Sequence, residues 1–145
     1  MHAYVSLEQD EDGYPPFDSE ELDVELRHDG ACTVVGVPVF TNGIAVDDIV
    51  SVVQTEDDDR WWVTSVLLAS GHGTVRVVPF AETTFEEVVA ELEAIGCAAQ
   101  GTEHGLVAVD VPADVDPDAL DRVLEAGRSA GRWDYDIGVP VGATE

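Results

Sequence analysis

The residues best suited to chemistry in this 145-residue chain lie in one stretch, Ser70-Gly71-His72-Gly73-Thr74-Val75-Arg76. Its glycines allow close backbone approach, His72 can transfer protons or bind a ligand, and Arg76 offers a planar fork for a carboxylate or phosphate. Ser70, His72 and Arg76 are therefore the candidate binding residues. The stretch also has a plainer reading: glycines punctuate a junction between two units, and a histidine there hydrogen-bonds both halves as a clamp. No catalytic residue is assigned. A hydrolase triad of Ser70 and His72 with Asp47 or Asp48 lacks the G-x-S-x-G elbow that would expose the nucleophile.

Other candidates are weaker. Asp10 and Asp12 resemble the opening of an EF-hand loop, with Glu21 at the twelfth position, but Tyr14 and Pro15 stand where an oxygen ligand and a glycine are required. Asp57-Asp58-Asp59 reads as a solvated hairpin tip. Cys32 and Cys97 lie far apart with no C-x-x-C partner, and are expected as buried free thiols. No metal site and no cofactor are expected. Trp61 and Trp62, adjacent in a strand, should point to opposite faces, one into the core and the other outward or into an interface between halves.

The elements around these residues fall into two units. In residues 1–69, Tyr4–Leu7 and the alternating Leu22, Val24 and Leu26 read as strands. His28-Asp29-Gly30 is a tight turn, and Cys32–Phe40 returns as β-branched residues broken at Gly36 and Pro38. Ile49–Gln54 and Trp61–Leu68 form a hairpin through an acidic turn. Short strands at this spacing predict a small all-β barrel or strongly curved sheet.

Residues 70–73 are the glycine-rich junction. From 74 to 138 the pattern is β-α-β-β-α-β: a strand over Thr74–Val78, then a capping box in Thr83-Thr84-Phe85-Glu86-Glu87 that opens a helix with Phe85, Val88, Val89, Leu92 and Ile95 on one face. Gly96 stops that helix, and a hairpin spans Cys97–Thr102 and Leu106–Val111. Asp116 caps a second helix with Pro117 as its first residue, and Trp133–Ile137 is the last strand, with Trp133 and Tyr135 sharing one face. The order predicts an α+β fold: an N-terminal β-barrel packed on a C-terminal ferredoxin-like unit, followed by a tail at 139–145.

Charge constrains the setting more than the task. The chain has 31 Asp and Glu against 6 Arg and no Lys, a formal charge of −25. Such a surface is best tolerated where salt shortens the Debye length from about 10 Å at 0.1 M to about 3 Å at 1 M, which points to a high-salt cytoplasm. The acids are spread over helix exteriors (Glu86, Glu87, Glu91), strand alternates (Glu21, Asp23, Glu25) and turns, the pattern of solvent adaptation rather than of one docking face. Six scattered arginines build no footprint for direct phosphate contact, so nucleic acid is not an expected partner. No apolar run approaches 18 residues and the first residues lack a signal pattern, so no membrane partner is expected and cytoplasmic residence is the default.

Taken together, Asp12-Gly13-Tyr14-Pro15-Pro16, Gly36-Val37-Pro38-Val39-Phe40, Ser70-Gly71-His72-Gly73-Thr74-Val75-Arg76 and Gly131-Arg132-Trp133-Asp134-Tyr135 resemble the family called domain of unknown function 4265, over nearly the whole chain. Gly73 departs from the small hydroxyl residue expected there. The resemblance implies one complete unit and transfers no catalytic residues. The expected function is a non-catalytic protein-binding module, immunity-like in its acidic surface and small size. The alternative is a small-molecule-binding or enzymatic domain using the junction near His72 and Arg76, which requires a concave pocket there.

Overall fold

Alternation in the first unit closes a barrel. The computed structural model describes residues 1–142. Its first five strands are β1 (His2–Ser6), β2 (Ser19–Leu26), β3 (Cys32–Val34), β4 (Ile49–Gln54) and β5 (Trp61–Leu68), each antiparallel to the next. Parallel pairing of Tyr4 with Trp62 joins β1 to β5 and completes the ring. Ala3, Leu22, Val24, Cys32, Val34, Ile44 and Val50 fill its interior. Two register shifts between β4 and β5 supply the local bend that so small a barrel requires.

Three expectations for this unit change. The strand expected over Cys32–Phe40 ends at Val34: the Val35 and Gly36 amides both turn to the Asp23 carbonyl, and from Val39 the backbone is satisfied by side chains from elsewhere, as described below. Neither tryptophan of β5 is fully buried: Trp61 is exposed, while Trp62 is half-buried and packs on Tyr4 with ring centroids 5.7 Å apart. Leu26 continues the inward alternation of Leu22 and Val24 but lies at the end of β2, where it is 63% exposed.

The second unit runs β6 (Gly73–Pro79), α1 (Phe85–Glu93), β7 (Ala98–Gly101), β8 (Val107–Val111), α2 (Pro117–Ser129) and β9 (Trp133–Val139). Its four strands form an antiparallel sheet in the order β7-β8-β6-β9. Helix α1 starts in a full capping box, in which Thr84 Oγ1 accepts from the Glu87 amide and the Glu87 carboxylate accepts from the Thr84 amide. The Asp116 side chain caps α2 through the Asp118 amide, with Pro117 first in the helix. Val88, Leu92, Leu120 and Leu124 meet Val75, Val77, Val107, Val109 and Val111 in one apolar core. Beyond β9, the Gly142 amide donates to Gly71 O at 2.7 Å, so the chain is tied back to the junction as far as 142. Residues 143–145 of the expected tail lie outside the described residues.

Trp133, fully buried, is the largest side chain of this core. Its indole Nε1 donates to Leu124 O at 3.1 Å, and the ring lies flat against the bare Cα of Gly127. A Cβ at Gly127 would fall 2.0 Å from two of the ring carbons. Glycine inside a helix ordinarily costs about 1 kcal/mol relative to alanine, so the ring explains why this one sits in α2. Gly127→Ala should therefore reverse the usual sign, lowering stability in urea unfolding by about 1–3 kcal/mol through overpacking. A stabilised variant would show that the ring does not need that space.

Candidate functional site

The loop between β3 and β4 carries the seam between barrel and sheet. The Glu20 carboxylate, on β2, accepts the backbone amides of Val39 (2.6 Å), Phe40 (3.0 Å) and Thr41 (2.8 Å) together with the Thr41 hydroxyl (2.6 Å). From the other side, Arg76 on β6 donates to carbonyls of the same segment: Nε to Val39 O at 2.6 Å and Nη2 to Thr41 O at 3.0 Å. Nη2 also reaches Asn42 Oδ1 at 2.6 Å, and Nη1 pairs with Asp136 Oδ2 at 2.8 Å. Residues 39–41 thus obtain through side chains the hydrogen bonds a strand would obtain from a ladder, which is why the apolar run there is not a strand. The Gly43 amide adds a bond to Gly138 O on β9 at 3.3 Å.

The structure separates the three sequence candidates. His72 is a clamp: Nδ1 donates to Asp110 on β8 at 2.8 Å, while Nε2 lies 3.4 Å from Asp47 on the barrel side. Its side chain is 18% exposed. Ser70 donates its hydroxyl to Val46 O at 2.7 Å and accepts the backbone amide of His72, so the hydroxyl is not paired with the imidazole as a triad requires. Asp48 is buried, its carboxylate capping the amides of Ala45 and Ser70. Gly73 is constrained by packing, since a Cβ there would meet Val141 N at 2.8 Å. Of the three candidates, Arg76 lines the cleft described next.

That cavity is a cleft of about 580 Å³. It is walled by the end of β1 and the residues after it (Val5 to Glu8), by Tyr14 and Pro15, by Phe40 to Asn42, by Arg76 and Val78 of β6, and by Leu106 and residues 134–136. Phe40 also joins an aromatic cluster across the seam, with ring centroids 6.0 Å from Tyr14, 5.7 Å from Phe17 and 5.2 Å from His104. Glu20 and Asp110 escaped the sequence reading. Asp110 had a signal, a lone acid inside the apolar run Leu106–Val111, whereas Glu20 had none beside Glu21.

Among the described residues no group of three or more His, Cys, Asp or Glu is placed to hold a metal ion. Asp10 turns its carboxylate to the amides of Asp12 and Tyr14 at 2.9 Å each. Both cysteines are buried and unpaired, and burial pushes the Cys97 thiol up to about 11. Among the described residues no helix is long and apolar enough to cross a membrane.

A closed five-stranded barrel joined to a helix-covered sheet, with a cleft at the seam, defines an α+β protein of two packed units. Residues 20–135 match the family described as domain of unknown function (DUF4265), and the chain belongs to that family. A solved structure described as a hypothetical protein from Neisseria gonorrhoeae shares the fold, with a TM-score of 0.81 at 18% identity over 99% of this chain and 98% of that one. No curated protein matches the chain significantly.

Arg76→Lys keeps the charge and loses the fork. We expect it to lower stability in urea unfolding by about 1–3 kcal/mol, the cost of leaving a buried acceptor without a donor. Glu20→Gln should cost a similar amount, and the double variant less than the sum, because both residues hold one segment. Strict additivity would contradict a shared role.

Proposed function

We propose that this chain is a non-catalytic binding module that takes its ligand in the cleft between barrel and sheet. The cleft itself carries this reading. Its volume lies within the range of about 300–1,000 Å³ usual for ligand sites, and it sits where two packed units meet. Apolar side chains (Val5, Leu7, Val78, Leu106) line it beside a few polar groups. Binding rather than turnover is supported by the structural hydrogen bonds that hold Ser70 and His72.

The order β-α-β-β-α-β, with β6 and β8 central in the sheet, supports reading the second unit as ferredoxin-like. Such units host many ligands and specify none, so the ligand must be argued from the cleft. Crystals soaked with small fragments of neutral, cationic and anionic type should show occupancy in the cleft, and Val78→Trp, at a position 43% exposed on its wall, should abolish it. Fragments bound only elsewhere would remove the reading.

We further propose that the charge of −25 adapts the protein to a high-salt cytoplasm, where an acidic exterior also suits a basic protein partner. Raising KCl from 0.1 to 2 M should then raise the melting temperature, by roughly 2–4 °C for each kcal/mol of relieved repulsion. A flat or falling melting temperature would contradict salt adaptation.

A further inference from the structure

We infer that the cleft selects a cation, an alkylammonium or guanidinium head on a short apolar stem. The inference rests on reading the cleft as a ligand site and adds the chemistry of what enters it. Four charged groups line the wall: Glu8, Asp134, Asp136 and Arg76. An anion would need Arg76, yet its guanidinium is committed to two backbone carbonyls, the Asn42 amide oxygen and Asp136, and its side chain is only 11% exposed. The cleft's one base is a structural clasp, neutralised where it stands.

The carboxylates are differently placed. Asp136 uses Oδ2 for Arg76 and is 71% exposed, so Oδ1 remains available to a ligand. Asp134 receives Arg128 and the Tyr135 amide on Oδ1, which leaves Oδ2. The Glu8 carboxylate makes no hydrogen bond or ion pair among the described residues. These oxygens stand beside Val5, Leu7, Val78 and Leu106, a surface for a hydrocarbon stem, and beside the rings of Tyr14 and Phe40, whose π-faces attract a cation. With three carboxylates against one guanidinium the lining is net negative, and a net negative cleft with low-dielectric walls concentrates cations. Molar salt screens long-range steering, but it screens a partly desolvated contact pair much less. The head group could be a free amine or a Lys or Arg side chain of a protein, and the chemistry is the same.

The test follows methyl resonances of Leu7, Val78 and Leu106 by NMR at fixed high ionic strength, with four probes: butylammonium, the capped tripeptide acetyl-Gly-Lys-Gly-amide, butanol and butyrate. The expected result is binding of at least one cationic probe about tenfold or more tighter than butanol or butyrate. Tighter binding of butylammonium identifies a small amine as the natural source, and tighter binding of the peptide a basic protein segment. Glu8→Gln and Asp136→Asn should each weaken the cation by about 3- to 10-fold, roughly 0.7–1.4 kcal/mol, while Asp57→Asn at the β4–β5 turn, which is not part of the cleft lining, should leave it unchanged. Equal binding of butanol and butylammonium in the cleft would overturn the cation inference and leave the cleft as a site. An equal effect of Asp57→Asn would overturn it too, because attraction would then belong to the whole surface. If none of the four probes moves these methyls, the cleft reading itself fails.

Discussion

The relation between the two units depends on three residues, Val39 to Thr41, held from opposite sides by one carboxylate and one guanidinium. Glu20 takes all three amides of the segment and Arg76 feeds the carbonyls of Val39 and Thr41, so a stretch with no ladder partner still has most of its backbone groups hydrogen-bonded. Hydrogen bonds to charged groups contribute about 1.5–3 kcal/mol each, more than neutral ones. The clasp fixes where the barrel sits on the sheet, and thereby the width of the cleft beside it. At the other end of the seam His72 joins Asp110 and faces Asp47, and the Ser70 hydroxyl is bonded to Val46. One end of the junction is closed by packing and hydrogen bonds, and the other opens as a cleft.

Arginine is used sparingly and structurally in this acidic chain. Arg132 forks onto Glu91 and covers Trp133, tying α1 to the start of β9. The Arg132 guanidinium holds the Glu91 carboxyl below its ordinary range, so this contribution is present above the usual carboxylate range and lost as pH falls through the lowered value. Arg128 stacks on Tyr135 and donates to Tyr135 O, covering part of the β9 edge. Arg60 lies over Tyr4 where the barrel closes. These contacts use a planar face or a fixed fork of donors, which an ammonium lacks, and this gives a physical reason for retaining Arg where Lys is absent. Contacts at short range also survive the salt that screens the remaining charge.

Much of the fold was legible in the sequence because its signals are local. The capping box at Thr84, the Asp116-Pro117 helix start and the turns at Gly30 and Gly96 each act within a few residues, and each appears where the pattern placed it. Alternation in β2 and the apolar run of β8 marked the two cores. The misread segment, Val35–Phe40, has strand-like composition, but the Val35 and Gly36 amides share the Asp23 carbonyl and Val39 and Phe40 take their hydrogen bonds from Glu20 and Arg76, residues distant in sequence. One of Trp61 and Trp62 was expected in the core, yet neither is fully buried, and Trp62 packs on Tyr4 at the closure of the barrel and stays half-buried. For the junction, residue types identified the place but not the roles. Arg76 looked like an anion fork and His72 like a reactive group, while their partners, Asp110 and the carbonyls of 39 and 41, are fixed only by tertiary structure.

The most direct test of the clasp is amide hydrogen exchange at Val39, Phe40 and Thr41 in the intact protein. Their donors end on a carboxylate instead of a β-ladder, and the account predicts that they open only with the whole molecule, with protection comparable to the core amides of β6 and β8. Exchange at the rate of an ordinary exposed loop, with the core amides still protected, would contradict it: Glu20 and Arg76 would then be decorating a flexible linker and would not be fixing barrel to sheet.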